Sequence, residues 1–283
     1  MMPWLRRVFD FMSTWGGAII LVVAGFWLAY QYVEPAPPDT LRMATGNPEG
    51  AYHRFAERYR SLLAEHGITL ELEASAGTVA NIEILTREQS PVDVAFVQGG
   101  LDMRGLDEQL ASLGSLFYEP IWLFHRDDWQ PRRLTDLQGR RIGIGPEGSG
   151  TRAVALSLLG ANGIDTSGAR LDASQIAAGA DALLAGELDA LFLISSPAAP
   201  VMTRLAQGSQ VALMSFERAD AYVRRHVYIA KVLLPEGALD LAENRPDRDV
   251  ELISVTANLV ARKGLHPALT DLLLQVAEEV HGG

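Results

Sequence analysis

The chain has 283 residues, is 48% hydrophobic, carries a formal net charge of -11 and contains no cysteine. That length accommodates two compact lobes or one large domain, and that apolar content excludes wholesale disorder. The acidic balance, with no basic face in the sequence, excludes nucleic acid as a partner; the lack of cysteine excludes disulfides, thiolate metal sites, cysteine nucleophiles and a lipoprotein anchor.

The first element is apolar. Ser13 to Val33, "STWGGAIILVVAGFWLAYQYV", has no charged residue, and a run of about 20 such residues spans a hydrocarbon core of ~30 Å. Arg6 and Arg7 precede it, with Trp4, Trp15, Trp27, Tyr30 and Tyr32 toward its ends. This predicts a single transmembrane helix with a cytoplasmic N-terminus and the bulk of the chain outside the cytoplasm, in the periplasm of a cell with an inner membrane. A cleaved signal peptide is the competing reading, but "YQYVEPAPPDT" offers no small-x-small cleavage site. Residues 1–33 are thus the expected anchor and 34–40, "EPAPPDT", a stiff linker.

From Leu41 strands and helices alternate. "LRMAT" reads as a strand, followed by the loop "GNPEG" and a helix whose apolar stripe is Tyr52, Phe55, Ala56, Tyr59, Leu62 and Leu63, stopped at Gly67. "ITLELEAS", a helix from Thr78 to Gln89, and the strand "VDVAFVQ" follow. The order then recurs: Thr45–Ser75 and Gly145–Ser174 each run from a Pro-Glu-Gly loop through a helix and a Gly-Ile step to a strand ending in Ala-Ser. Repeated units of this kind predict two α/β lobes with parallel strands, each presenting a glycine loop at the carboxyl ends of its strands, where ligands of open sheets bind.

The second glycine loop, "RIGIGPEGSGTR", spells G-x-G-x-x-G through Gly143, Gly145 and Gly148. Pro146 inside the turn and the lack of an acidic residue at the right distance count against a dinucleotide. Gly150-Thr151-Arg152 lacks the lysine of a nucleotide loop. No cofactor is expected.

"TGNPEGAYHRFAERY", "SAGTVANIEIL", "VDVAFVQ", "LFYEPIWLFHR", "LQGRRIGIGPEGSGTR" and "GELDALFLISSPAAP" together resemble the TAXI family of solute receptors that serve TRAP transporters, from Leu41 to the C-terminus. The resemblance implies an α/β, two-lobed, class II periplasmic-binding-protein-like fold, here behind a single transmembrane helix. It also implies a small organic anion as ligand, a dicarboxylate or a glutamate-like amino acid, and a TRAP permease or other membrane partner. Receptors of this family are usually exported and freed, so the retained anchor is a departure. Longer anchored relatives extend beyond the point where this chain ends, Gly282-Gly283.

Pocket residues follow from the loops. Thr45, Gly46, Gly50, Ala51 and Tyr52 lie where the first helix of the body begins, and Gly148, Ser149, Gly150 and Thr151 do so in the second lobe; two opposed helix N-termini suit a ligand with two anionic or polar ends. Ser75, Gly77, Thr78 and Asn81 would add a third N-terminus. Tyr52 could cover the ligand or pack in the core; Arg152 could clamp a carboxylate or lie on a solvated helix face. Tyr118 and Glu119 precede a crossover strand, and Glu119 could bind a ligand amino group or the hinge backbone. Gln98, Ser195 and Ser196 end buried strands.

Catalysis has little support: the six histidines are scattered, no H-E-x-x-H or G-x-S-x-G occurs, and neither metal nor enzymatic activity is expected. An enzyme on the same fold and a membrane-tethered sensor or scaffold are the rival readings. Crossovers expected at Glu119–Arg126 and Tyr222–Lys231 divide the body into a discontinuous first lobe, 41–121 with 227–283, and a second lobe, 122–226.

Overall fold

The structure, a computed structural model, describes residues 3–32, 36–48, 50–101, 105–106 and 108–282. Helix α1 (Pro3–Tyr32) is continuous over 30 residues and belongs to a unit, Met1–Pro38, separate from the compact body Asp39–Gly283. Among the described residues no helix is long and apolar enough to cross a membrane. The expected span, Ser13–Val33, reaches beyond them: Val33 lies outside the described residues, as do the side chains of Ser13, Ala29, Gln31 and Tyr32.

The body runs β1 (Thr40–Gly46), α2 (Ala51–Glu65), β2 (Thr69–Ala74), α3 (Thr78–Thr86), β3 (Val94–Gln98) and β4 (Leu110–Arg126). It continues through β5 (Arg141–Gly143), α4 (Gly150–Ala161), β6 (Arg170–Asp172), α5 (Ile176–Leu184), β7 (Ala190–Ile194) and α6 (Pro200–Gln207). The last elements are β8 (Val211–Leu213), α7 (Ala219–Arg225), β9 (Ala230–Leu234), β10 (Val250–Arg262) and α8 (Pro267–His281).

Local sequence accounts for these elements. Helix α2 buries Tyr52, Ala56, Tyr59 and Leu63, one face at helical spacing. It stops where Gly67 adopts φ +77° and the amides of Gly67 and Ile68 return to the carbonyls of Ala64 and Leu63. Helix α8 opens with Pro267 and is capped by the His266 ring, which accepts from the Ala268 amide.

The strands form one sheet in the order β2-β1-β3-β10-β4-β7-β5-β6, with β8 against β4 and β9 against β10. At either end the strands are parallel, as the alternating pattern predicts: β1 with β2 and β3, β5 with β6 and β7. The connecting strands β4 and β10 are antiparallel to each other and to their outer neighbours. In β3, Val94 and Phe96 face a core shared with α2 and α8, while Ala95 and Val97 face a second cluster under α3. Both faces are covered, which is why the strand reads as an unbroken apolar run.

Strands β4 and β10 divide the body. Ile121–Phe124 and Val250–Val255 belong to the core of the second lobe, whereas Ala257, Leu259 and Ala261, with Leu113, Leu116 and Phe117 packed nearby, belong to the first. Glu119 pairs with Val255 and Tyr118 with Thr256 at the crossing point. The return crossover is therefore at Val255–Thr256, not at Tyr222–Lys231. The latter stretch forms α7 and the start of β9, and Tyr222, Ile229 and Leu234 are buried in the second-lobe core. The physical reason is reach: a connecting strand must enter two cores, and β9, with five residues, spans only about 17 Å.

Candidate functional site

The carboxyl ends of β1, β3 and β7 and the loop after β5 converge on a cavity of about 990 Å³, large enough for a small organic ligand. Of the residues expected from the sequence, Thr45, Gly46, Gly50, Ala51, Tyr52, Gly77, Thr78, Gln98, Glu119, Ser149, Gly150, Thr151 and Ser195 line it. The first turns of α2 and α4 both border it, so two helix N-termini from opposite lobes meet there.

Glu119 stands at the crossing of β4 and is 7% exposed. The Tyr52 hydroxyl donates to its Oε2 at 2.6 Å, and the Gln98 amide also donates to it. Burial lifts its pKa from 4.5 to about 7, because desolvation outweighs the two hydrogen bonds that favour the charged form. Burial and the neighbouring carboxylate push the Tyr52 hydroxyl well above its ordinary value, so Tyr52 is a donor here. Its ring also packs on Phe96, centroids 5.3 Å apart; the packing and ligand-facing readings of this residue coexist. Gln98 Oε1 is buried without a hydrogen-bond partner among the described residues. A Cβ on Gly150 would lie 1.7 Å from that oxygen, which explains the glycine at the start of α4.

The glycine loops of the two lobes touch. The Val79 and Ala80 amides donate to the Gly148 carbonyl at 3.2 and 3.4 Å. A Cβ on Gly77, at φ +134°, would sit 3.2 Å from Ser149 Cα. The carbonyl of the opposite jaw thus takes up two of the free amides at the N-terminus of α3, while Gly77 and Thr78 still line the cavity.

Six expected residues do not line the cavity. Asn81 is fully buried and structural: its Nδ2 donates to the Ala44 and Phe96 carbonyls, and its Oδ1 accepts from Ser75 Oγ. Ser75 in turn caps the Gly77 amide. Gly148 supplies the jaw contact through its carbonyl. Ser196 accepts from the Ala198 amide at the start of the following turn. Tyr118 is 61% exposed, since neighbouring strand residues point to opposite faces and Glu119 points inward. Arg152 is half-buried away from the cavity, against the clamp reading. Ser149 does line the cavity, but its hydroxyl donates to the Pro146 carbonyl and accepts from the Arg152 amide. It serves as a helix cap.

The cations at the cavity are Arg54 on α2 and Arg204 on α6, which sequence reasoning passed over. Arg204 donates to the Ala177 carbonyl and pairs with Asp181 at 3.1 Å, its side chain 44% exposed. The available signal was spacing: Pro200, Val201 and Arg204 share one helical face directly after the Ser195-Ser196 loop, and all three line the cavity.

The model of the NMT1-like family matches residues 43–276. Among solved structures, the periplasmic aliphatic sulphonate binding protein SsuA from Escherichia coli is similar at 12% identity and TM-score 0.55, covering 87% of this chain and 73% of that one. The amino acid ABC transporter substrate-binding protein AbpA from Streptococcus pneumoniae, bound to L-arginine, is 13% identical with TM-score 0.53, covering 86% and 89%. The effector binding domain of QuiR, in complex with shikimate, is 12% identical with TM-score 0.53, covering 87% and 98%. The body has the α/β periplasmic-binding-protein-like fold.

Proposed function

From the premise that the chain belongs to the NMT1-like family, we propose a solute-binding receptor that takes a small organic anion or amino acid into the cavity. The carrying observation is a cavity of about 990 Å³ at the carboxyl ends of the parallel strands, walled by Arg54 and Arg204 from the two lobes. Helix N-termini and guanidinium groups favour an anion; the covering lobes remove it from water and strengthen each contact. The TAXI-like motifs support a receptor of that type working with a TRAP permease. Similar structures bind a sulphonate or an amino acid. A sensor passing solute occupancy to a membrane partner is the second reading, favoured by the similarity to an effector binding domain. No catalytic role is proposed.

A thermal-shift screen of the full-length protein in detergent against carboxylates, sulphonates and amino acids tests this. Selective stabilisation is the expected result, because a ligand bound only by the folded state raises the midpoint. Arg204→Ala should lower the affinity of the best solute by about tenfold or more, with little change in the melt without added solute. A cooperatively melting protein that responds to no solute in a broad screen overturns the reading.

We also propose that α1 anchors the receptor, with the body outside the cytoplasm. Ile20, Leu21, Val23 and Phe26 are 61–75% exposed on this helix, a contiguous apolar surface that water disfavours. The protein should pellet with membranes after a high-salt wash and retain its N-terminal residues. A soluble mature form beginning near Glu34 would sink the anchor.

A further inference from the structure

We propose that Glu119 and the side-chain oxygen of Gln98 form a subsite for a positively charged, hydrogen-donating group of the solute. The ligand class is then a zwitterion, an amine-bearing carboxylate or sulphonate, rather than a simple dianion. The proposal rests on the receptor reading above and narrows it.

The arrangement is complementary to such a molecule. Glu119 and Gln98 both line the cavity and are only 7% and 6% exposed. Tyr52 and the Gln98 amide use part of the acceptor capacity of the carboxylate; an ionised carboxylate has about four lone-pair positions, so capacity remains. Gln98 Oε1 is buried with no partner among the described residues, and an unmet buried acceptor is costly until a donor reaches it. A primary ammonium carries three donors and a charge opposite to Glu119. Arg54 and Arg204 line the same cavity and supply the counterpart for the anionic end. A dianion would instead place a negative group against Glu119 and leave Gln98 Oε1 unmet.

Protonation gives the proposal a sign. Glu119 titrates at about 7, and an ammonium needs it ionised, so affinity for a zwitterion rises from pH 6 to pH 8. If Glu119 acted instead as a neutral acid donating to an anion, affinity would fall over the same interval. Among the described residues, Tyr52 is the titratable group hydrogen-bonded to Glu119. His53 contacts Thr45 at the cavity wall, and comparison with a Glu119→Gln variant isolates the contribution of Glu119.

The test is calorimetric titration of the full-length protein in detergent with two matched pairs, L-glutamate against glutarate and taurine against ethanesulphonate. At pH 8 the amine-bearing member of at least one pair should bind about tenfold tighter or better, and Glu119→Gln should erase the difference. Should that variant fail to melt cooperatively, the wild-type pH slope decides: a rise from pH 6 to 8 for the amine-bearing member supports the subsite. A flat or falling slope overturns it, as does an amine preference that survives in folded Glu119→Gln. Binding of glutarate or ethanesulphonate equal to or tighter than that of their partners removes the ammonium subsite and leaves the receptor standing. Binding of no probe at either pH, together with silence in the broad screen, removes both.

Discussion

Gly150→Val is expected to weaken binding of the best solute by about tenfold or more and to lower the melting midpoint, while Gly160→Ala on the same helix does neither. A Cβ at position 150 would fall 1.7 Å from Gln98 Oε1, 2.6 Å from Gln98 Cδ and 3.2 Å from Thr78 Oγ1. A flexible side chain could step aside at little cost, but Gln98 is 6% exposed, and its amide is committed to Glu119. Displacing it removes one donor from a buried carboxyl and deforms the cavity wall, and overpacking of this kind costs about 1–3 kcal/mol. At Gly160 a Cβ would meet nothing within 4 Å, and alanine in place of a helical glycine stabilises by up to about 1 kcal/mol. Titration calorimetry and thermal melts of the two variants decide the matter. A folded Gly150→Val protein with unchanged affinity would make this loop an ordinary turn.

That loop shows how far the sequence can be read. The glycines of "GPEGSGTR" were legible as a place of close approach, because glycine at the start of a helix signals either a turn or a neighbour. What the sequence hides is the identity of the neighbour: Gln98 lies 52 positions earlier in the chain and meets Gly150 only because the two lobes face each other. The same limit explains why the reading of Arg152 stayed open between a clamp and a solvated helix face, and why Arg54 and Arg204 were passed over. A helix N-terminus can be located from its cap, but which of its flanks faces the cavity depends on how the helix packs. The missed return crossover has another cause. "DVELISVTANLVAR" was legible as a strand, but a single strand with halves in two cores has the same apolar pattern as one in a single core. Only its pairing, Val255 with Glu119 and Ala257 with Phe117, reveals the passage. Asn81, by contrast, was conspicuous as an amide beside a glycine loop, and burial shows it holding strands together.

Trp122→Ala is expected to be the most destabilising single substitution in the body, costing about 3–5 kcal/mol. Trp122 is fully buried and, among the described residues, the largest such side chain, and it sits three residues beyond Glu119, where β4 enters the second lobe. Its removal leaves a cavity that the strand cannot collapse, because β4 is held on both sides by β7 and β10. Against a typical stability of about 5–15 kcal/mol the loss is large, and poor recovery of folded protein at 37 °C is one expected sign. Trp122→Phe separates packing from polarity. The indole Nε1 donates to the Ser195 carbonyl at 2.8 Å, and Ser195 lines the cavity. Phenylalanine restores most of the volume but leaves that part-buried carbonyl without its donor, at about 0.5–1.5 kcal/mol. Its stability, measured by urea denaturation, should fall between wild type and alanine, with an unchanged dependence on denaturant. Solute affinity should also fall in Trp122→Phe, because the Ser195 end of β7 is freed to shift. If the phenylalanine variant matches wild type in both stability and affinity, the indole hydrogen bond plays no part in shaping the cavity, and the contribution of Trp122 is volume alone.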